Sequence, residues 1–446
     1  DFYLAGAIAN LVRVPMYPRN SREAHLHMLG HTGCKAVLVM ERYAHELEGV
    51  KDELPDMQHV IVRDNTYEAW LARHSAIDPD LPVEPTDNYI LRHTGGTTGK
   101  SKGVVYTHKA WLDTARNWFY LAPPVEPGDK CLHVGPISHG SGYLFLPVFL
   151  GGGCNVLVDH FDPRGTVDLM EREGIAYMFM VPTMANAIVN APDLGPRDWS
   201  KLKCVQIAAA PISDDTALRA RAIFGDALYQ LYGQTEALPV AMMGPRQWFA
   251  QIEGSSPLRA CGMPLPFAEL EIWNEDNQPV GLGDPGEIVA KTDGQMTGFW
   301  NNQEATNERI VNGWIKTGDI GRLDANGYLY VLDRSDDMII SGGYNIWPAE
   351  LENVIASHPA VVEVAVVGVP HARWGETPLA VCVTNELPVT EAELTKLCAD
   401  ALGSYKKPGQ VVLRKEPLPK TPVGKIKRKE LREPYWVGHT RRVAGS

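Results

Sequence analysis

The spacing of apolar and polar residues changes style twice along the chain. Up to about residue 231, short β-branched or apolar runs fall at 36–40, 59–62, 131–134, 155–158, 177–180, 205–208 and 228–231. Longer helix-like stretches lie between many of them, as at 21–29, 109–120 and 166–173. This alternation predicts an α/β architecture with parallel-rich sheet, because parallel neighbours need a long crossover. From about 270 to 332 strands follow one another quickly, separated by Asp276-Asn277, Gly283-Asp284 and Asn326-Gly327 turns. That rhythm predicts a small antiparallel or barrel-like unit. Beyond Asp333 come strands at 361–369 and 379–383 and a helix at 391–402, a compact α+β unit of ordinary domain size. The polar run Asp333-Arg334-Ser335-Asp336-Asp337 separates two apolar strands. The predicted division is therefore 1–335, with the barrel-like subdomain at about 270–333, and 336–446. Residues 1–8 read like a helix interior, so a missing first segment is expected.

Composition adds less than charge does. With 44% hydrophobic and 22% charged residues among 446, the chain is an ordinary globular one, not disordered, collagen-like or coiled-coil. The net charge is −12, yet residues 401–446 hold twelve Lys or Arg against three Asp or Glu. An acidic body thus carries a basic tail. Seven scattered cysteines without C-x-x-C spacing argue for reduced thiols and a cytoplasmic location. The longest apolar stretch, 144–153, contains Pro147 and ends in three glycines, too short and broken to span a membrane. No signal-peptide pattern opens the sequence.

The strongest chemical signal is Thr94-Gly95-Gly96-Thr97-Thr98-Gly99-Lys100-Ser101-Lys102-Gly103, following the strand-like Tyr89-Ile90-Leu91. Glycines let backbone amides converge on a phosphate, and the hydroxyls and lysines add donors and charge. It is not a Walker A loop, which requires glycine where Thr94 stands. Four further segments are weaker singly: Leu231-Tyr232-Gly233-Gln234-Thr235-Glu236, Trp314-Ile315-Lys316-Thr317-Gly318-Asp319, the run from Asp333 to Ser341-Gly342-Gly343-Tyr344-Asn345, and Pro419-Lys420-Thr421-Pro422-Val423-Gly424-Lys425. A carboxylate such as Glu236 after a hydroxyl could hold Mg²⁺ on a nucleotide, and Asp319 could accept from ribose hydroxyls. Ordinary turn residues are the plain alternative for each.

In this order the five segments resemble the adenylate-forming superfamily of acyl-CoA synthetases, non-ribosomal peptide adenylation domains and beetle luciferases. The resemblance extends to about Trp436. It implies ATP, Mg²⁺ and CoA as cofactors, and a mobile C-terminal domain. Residues Thr94, Gly95, Gly96, Thr97, Thr98, Gly99, Lys100 and Lys102 would then cradle phosphates. Tyr232, with Gly233, Gln234 and Thr235, would meet adenine, and Ala209, Ala210 and Pro211 would line its other side. Many members have glycine where Ala208 and Ala209 stand. Asp319 and Arg334 would take the ribose, Glu236 the Mg²⁺, and Lys425 the carboxylate and α-phosphate. Asp336 matches the hinge, and Ser341, Gly342 and Gly343 the CoA channel. The acyl pocket would comprise His139, Gly140, Tyr143, Ala208 and Leu238, with Met180, Met184 and Met242 nearby. Amino-acid-activating members carry aspartate where Gly140 stands. A buried ammonium without a counter-charge is costly, so a hydrophobic acid, aryl or medium-chain, is the expected substrate.

Four functions compete at this stage: an acid–CoA ligase, an enzyme loading an acyl group onto a carrier-protein thiol, a nucleotide-binding regulator without catalysis, and a nucleic-acid binder using the basic tail. Intact Lys425, Glu236 and phosphate loop argue against the third. The acidic body and the lack of interleaved aromatics on the tail argue against the fourth. Partners are then small molecules, with no nucleic acid and no membrane span; oligomeric state stays open, a homodimer included.

Overall fold

A computed structural model describes residues 2–17, 20–94, 101–118, 120–192, 194–334, 337–341, 344–421 and 424–437. Its centre is a seven-stranded sheet in the order Met263–Pro264, Ala237–Met243, Leu228–Gln234, Cys204–Ile207, Ile175–Met180, Lys130–His133, Cys154–Leu157. The last five strands run parallel and the first two antiparallel. Ile175–Met180 is buried at every position, as expected for a parallel strand covered on both faces. Strand alternation sends Tyr177 and Phe179 into one core layer and Met178 and Met180 into the other.

The crossover helices are set by local chemistry. In Pro163–Glu173 the Asp162 side chain accepts from the Gly165 amide, Pro163 opens the first turn, and Gly174 closes the helix at φ 61°. Ser213 caps Asp214–Phe224 through the Thr216 amide.

A second, three-stranded antiparallel sheet joins Asn88–His93, Gly103–Thr107 and Gly298–Phe299. Five antiparallel strands between Ala268 and Arg334 form the smaller unit: Ala268–Trp273, Gly286–Thr292, Ile310–Val311, Trp314–Leu323 and Leu329–Arg334. Leu329 exchanges backbone bonds with Cys261 (2.8 Å) and Gly262 (2.9 Å), just before the first of these strands. The last strand therefore bonds back to the segment leading into the first, which gives the unit its barrel-like character.

The C-terminal sheet is mixed, in the order Tyr344–Ile346, Ile339–Ser341, Gly375–Thr384, Val361–His371, with Gln410–Arg414 parallel to Gly375–Thr384. Helices Pro348–Ala356 and Glu391–Leu402 bury Leu351, Ile355, Leu394 and Cys398 against one face. Leu418 and, from the helix Arg428–Trp436, Leu431 pack on the other. All seven cysteines are unpaired. Among the described residues no helix is long and apolar enough to cross a membrane.

Candidate active site

Strands Asn88–His93 and Gly103–Thr107 pair with His93 opposite Gly103, and the Thr94 amide donates to the Lys102 carbonyl at 3.0 Å. The ends of the glycine-rich segment are thus pinned at one point, while Gly95, Gly96, Thr97, Thr98, Gly99 and Lys100 lie outside the described residues. Lys102 is exposed, its ammonium 5.3 Å from the centre of the Phe299 ring.

The second motif is not a loop after a strand. Leu228–Gln234 runs through Tyr232 and Gly233, and only Thr235 and Glu236 turn back into Ala237–Met243. A Cβ at Gly233 would lie 2.3 Å from Leu238 Cδ1 and 3.0 Å from the Ala237 carbonyl oxygen, so glycine lets the hairpin close without displacing either. The Tyr232 hydroxyl donates to Asp319 at 2.8 Å and the Gln234 amide donates to the same oxygen at 2.5 Å. The structure therefore joins the Tyr232 and Asp319 motifs across 87 positions of sequence. Burial, and then the Asp319 charge, push the Tyr232 phenol well above its usual range. Side-chain geometry at Arg334 lies outside what is described, though its backbone pairs with Asp319.

Glu236 is 7% exposed and carries no ion pair among the described residues. Its charge raises the phenols of Tyr106 and Tyr143, each after the larger effect of burial. No group of three or more His, Cys, Asp or Glu suited to a metal occurs among the described residues. One carboxylate suffices for a Mg²⁺ held mainly by substrate phosphates.

His139 stands where three segments converge. Arg92 donates through Nη2 to the carbonyls of Ser138 and His139, both at 2.8 Å. Its guanidinium lies 4.3 Å from the Tyr143 ring centre and 5.3 Å from that of Trp111. The Tyr17 hydroxyl lies 2.8 Å from the His93 carbonyl and 3.3 Å from His139 Nδ1. Desolvation first, then the charges of Lys425 and Arg92, hold the His139 imidazole well below its usual range. Lys425, 286 residues further along, is therefore an electrostatic neighbour of His139. Next to it the Gly424 carbonyl accepts from Thr183 (3.4 Å), and elsewhere the same unit is tied to the larger one by Asn186 donating to Val362 (2.8 Å) and the Asp214 amide to Asn353 (3.0 Å).

Of the acyl-pocket residues, Tyr143, Ala208 and Leu238 share one apolar layer with Phe179, and Met242 belongs there too. Met180 belongs to the opposite layer, and the half-buried Met184 packs against it. A Cβ at Gly140 would stand 2.6 Å from Phe179 Cε1. An aspartate here, which the resemblance associates with amino-acid activation, would have to displace the Phe179 ring. Ala209 has φ 79°, a left-handed conformation that glycine adopts freely and alanine does not. Ala210 is half-buried and Pro211 exposed. Ser341 ends a strand paired to Tyr344 and Gly375; Asp336, Gly342 and Gly343 lie outside the described residues.

Tyr17, Arg92 and Phe179 were not among the residues expected from sequence. Arg92 had a signal: a full charge directly after the apolar run Tyr89-Ile90-Leu91, two residues before the phosphate segment begins at Thr94.

Comparison with known proteins adds ancestry to this geometry. The AMP-binding enzyme family matches residues 2–300, and the AMP-binding enzyme C-terminal domain matches residues 350–425. A medium/long-chain-fatty-acid–CoA ligase of Mycobacterium tuberculosis is 32% identical, over 98% of this chain and 80% of its own. A feruloyl-CoA synthase of an Amycolatopsis species is 36% identical, over 80% of this chain and 72% of its own. The crystal structure of ATP-bound MatB from Rhodopseudomonas palustris superposes with a TM-score of 0.88 at 26% identity, covering 98% of this chain and 86% of that one.

Proposed function

The chain belongs to the AMP-binding enzyme family, and from that premise we propose that it is an ATP-dependent, AMP-forming acid–CoA ligase acting on a hydrophobic carboxylic acid. The observation that carries the reading is the docking of the Lys425 loop on the larger unit, where the Gly424 carbonyl accepts from Thr183 at 3.4 Å, on the side where the Lys425 charge acts on His139 beside the apolar layer of Tyr143, Ala208 and Leu238. Adenylation requires two anions to meet, a carboxylate and the α-phosphate of ATP. A single ammonium between them attracts both and favours in-line approach. Lys425 takes that position. Thr94 and Lys102 close the phosphate loop, and Asp319, oriented by Tyr232 and Gln234, meets the ribose hydroxyls. Glu236, buried and without an ion pair among the described residues, would hold Mg²⁺ on the phosphates, and the metal would neutralise part of their charge.

A carboxylate oxygen of the acid bonds to the α-phosphorus, the bond from that phosphorus to the bridging β-phosphate oxygen breaks, pyrophosphate leaves, and acyl-AMP remains with its C–O bond intact. In the second step a CoA thiolate attacks the acyl carbon and AMP departs. The unit after residue 335 carries Lys425 away and presents Ser341, Gly342 and Gly343, with Asp336 as hinge; this division of labour belongs to the same proposal. Gly140 supplies no carboxylate for a substrate ammonium, and Phe179 occupies the space where one would project, which favours an aryl or medium-chain fatty acid over an amino acid. Such chemistry, drawing on ATP and CoA, fits the cytoplasm.

A panel of aryl and fatty acids incubated with ATP, Mg²⁺ and CoA, read by mass spectrometry, tests this. Acyl-CoA and AMP are the expected products. Acyl-AMP accumulating without acyl-CoA for every acid would transfer the reading to a carrier-protein thiol.

A further inference from the structure

The Tyr17 hydroxyl has one proton and two neighbours, the His93 carbonyl at 2.8 Å and His139 Nδ1 at 3.3 Å. A carbonyl oxygen only accepts. If the hydroxyl donated to the ring, two oxygens would sit 2.8 Å apart with no proton between them. Both contacts are satisfied only when Tyr17 donates to His93 and accepts from an Nδ1–H of His139. From the other side Arg92 fixes the backbone beneath the ring by its two bonds to Ser138 and His139. Arg92 is 2% exposed, and its Nε and Nη1 have no hydrogen-bond partner among the described residues. Its guanidinium rests instead on the Tyr143 and Trp111 rings. Burying a guanidinium without a carboxylate is costly, so its position is one the fold maintains for more than packing.

We propose that Tyr17 and Arg92 are positioning residues that hold His139 as the neutral Nδ1–H tautomer, leaving the Nε2 lone pair as the acceptor that this ring offers to the reaction site. The groups facing His139 agree. Arg92 on the strand, Lys425 from the C-terminal unit and the dry surroundings all disfavour a second proton on the ring. A ring held in this form attracts the Lys425 ammonium and repels a carboxylate oxygen, so Lys425 belongs between the imidazole and the acid. This rests on the reading of His139 as a site residue.

The test does not need turnover, so its failure is distinguishable from failure of the ligase reading. Full-length protein labelled with ¹⁵N-histidine gives long-range ¹⁵N–¹H correlations that distinguish Nδ1–H from Nε2–H; loss of one pattern in His139→Gln assigns the residue. Wild type is expected to show Nδ1–H, unchanged between about pH 8 and pH 6, where an ordinary imidazole titrates. Tyr17→Phe removes the acceptor and should move the ring to Nε2–H or to an exchanging mixture. Arg92→Gln should broaden the same signals by freeing the loop. Where Arg92→Gln does not fold, Tyr17→Phe, which deletes one oxygen, still decides. An Nε2–H pattern in wild type, titration near the ordinary histidine value, or an unchanged ring in Tyr17→Phe would each overturn the proposal.

Discussion

Two single positions show how the site is shaped by what fits. Ala209 adopts φ 79°, where its methyl crowds the neighbouring carbonyl. Ala209→Gly should therefore raise stability by about 1 kcal/mol, net of the extra freedom glycine gives the unfolded chain, measured by chemical denaturation. A loss of stability would mean that the methyl is held by packing worth more than the strain. Gly140 is the converse. Its Cβ position is taken by Phe179, so Gly140→Asp should lower soluble yield and abolish aryl or fatty-acid activation without gaining activity on amino acids. Replacing Phe179 by a smaller residue in the same variant should recover folding. The need for glycine at Gly140 was legible only as a departure from a family pattern. Its cause, an aromatic ring 39 positions away, was not, because nothing local to either residue encodes their approach.

At the scale of elements, the helix Arg22–Thr32 and the strand Asn88–His93 bring His27, His31 and His93 together. His31 Nδ1 lies 3.3 Å from His93 Nε2, and His27 meets the Ser101 carbonyl at 3.2 Å. Burial first, then the other two histidines, lower the His93 pKa to about 4. The unfolded chain therefore takes up a proton near the ordinary histidine value while the folded one still refuses it. Stability is complete above that value and falls as the pH drops from about 6.5 toward 4, by roughly 3 kcal/mol from His93 alone. Denaturation midpoints measured across that range should decline, and His93→Phe should flatten the decline. An unchanged slope in the variant would assign the loss to other groups. Period and turn chemistry made most of these elements readable: the parallel strands and their helices fall within a few residues of the expected runs. What could not be read was pairing at long range. Gly298–Phe299 joins Gly103–Thr107 across nearly two hundred residues, and its two residues carry no strand signal of their own. His93 was separated from the other two histidines for the same reason: His27 and His31 share a helical i,i+4 spacing, but nothing local ties them to a strand more than sixty residues away.

For the whole molecule the basic tail changes meaning. Eight of its twelve cations pair with carboxylates: Lys406 with Glu350, Arg414 with Glu416, Lys415 with Glu386, Lys420 with Glu363, Lys427 with Glu430, Arg428 with Glu352, Lys429 with Glu433 and Arg432 with Asp337. Most of the tail's charge is spent within its own unit, which leaves little for a nucleic acid and puts the weight on one placed lysine. Lys425 is delivered to His139 by a loop that touches Thr183, in a unit whose other ties to the larger part include Asn186 and Asp214. Those ties must break if the same unit is to present Ser341 to a thiol. The central claim is that Lys425 serves the first half-reaction and not the second. The most direct measurement compares Lys425→Ala with wild type in two assays, pyrophosphate exchange with acid and ATP, and thioester formation from supplied acyl-AMP and CoA. Exchange should fall by orders of magnitude while thioester formation stays within a few-fold of wild type. Equal loss in both assays would contradict the assignment.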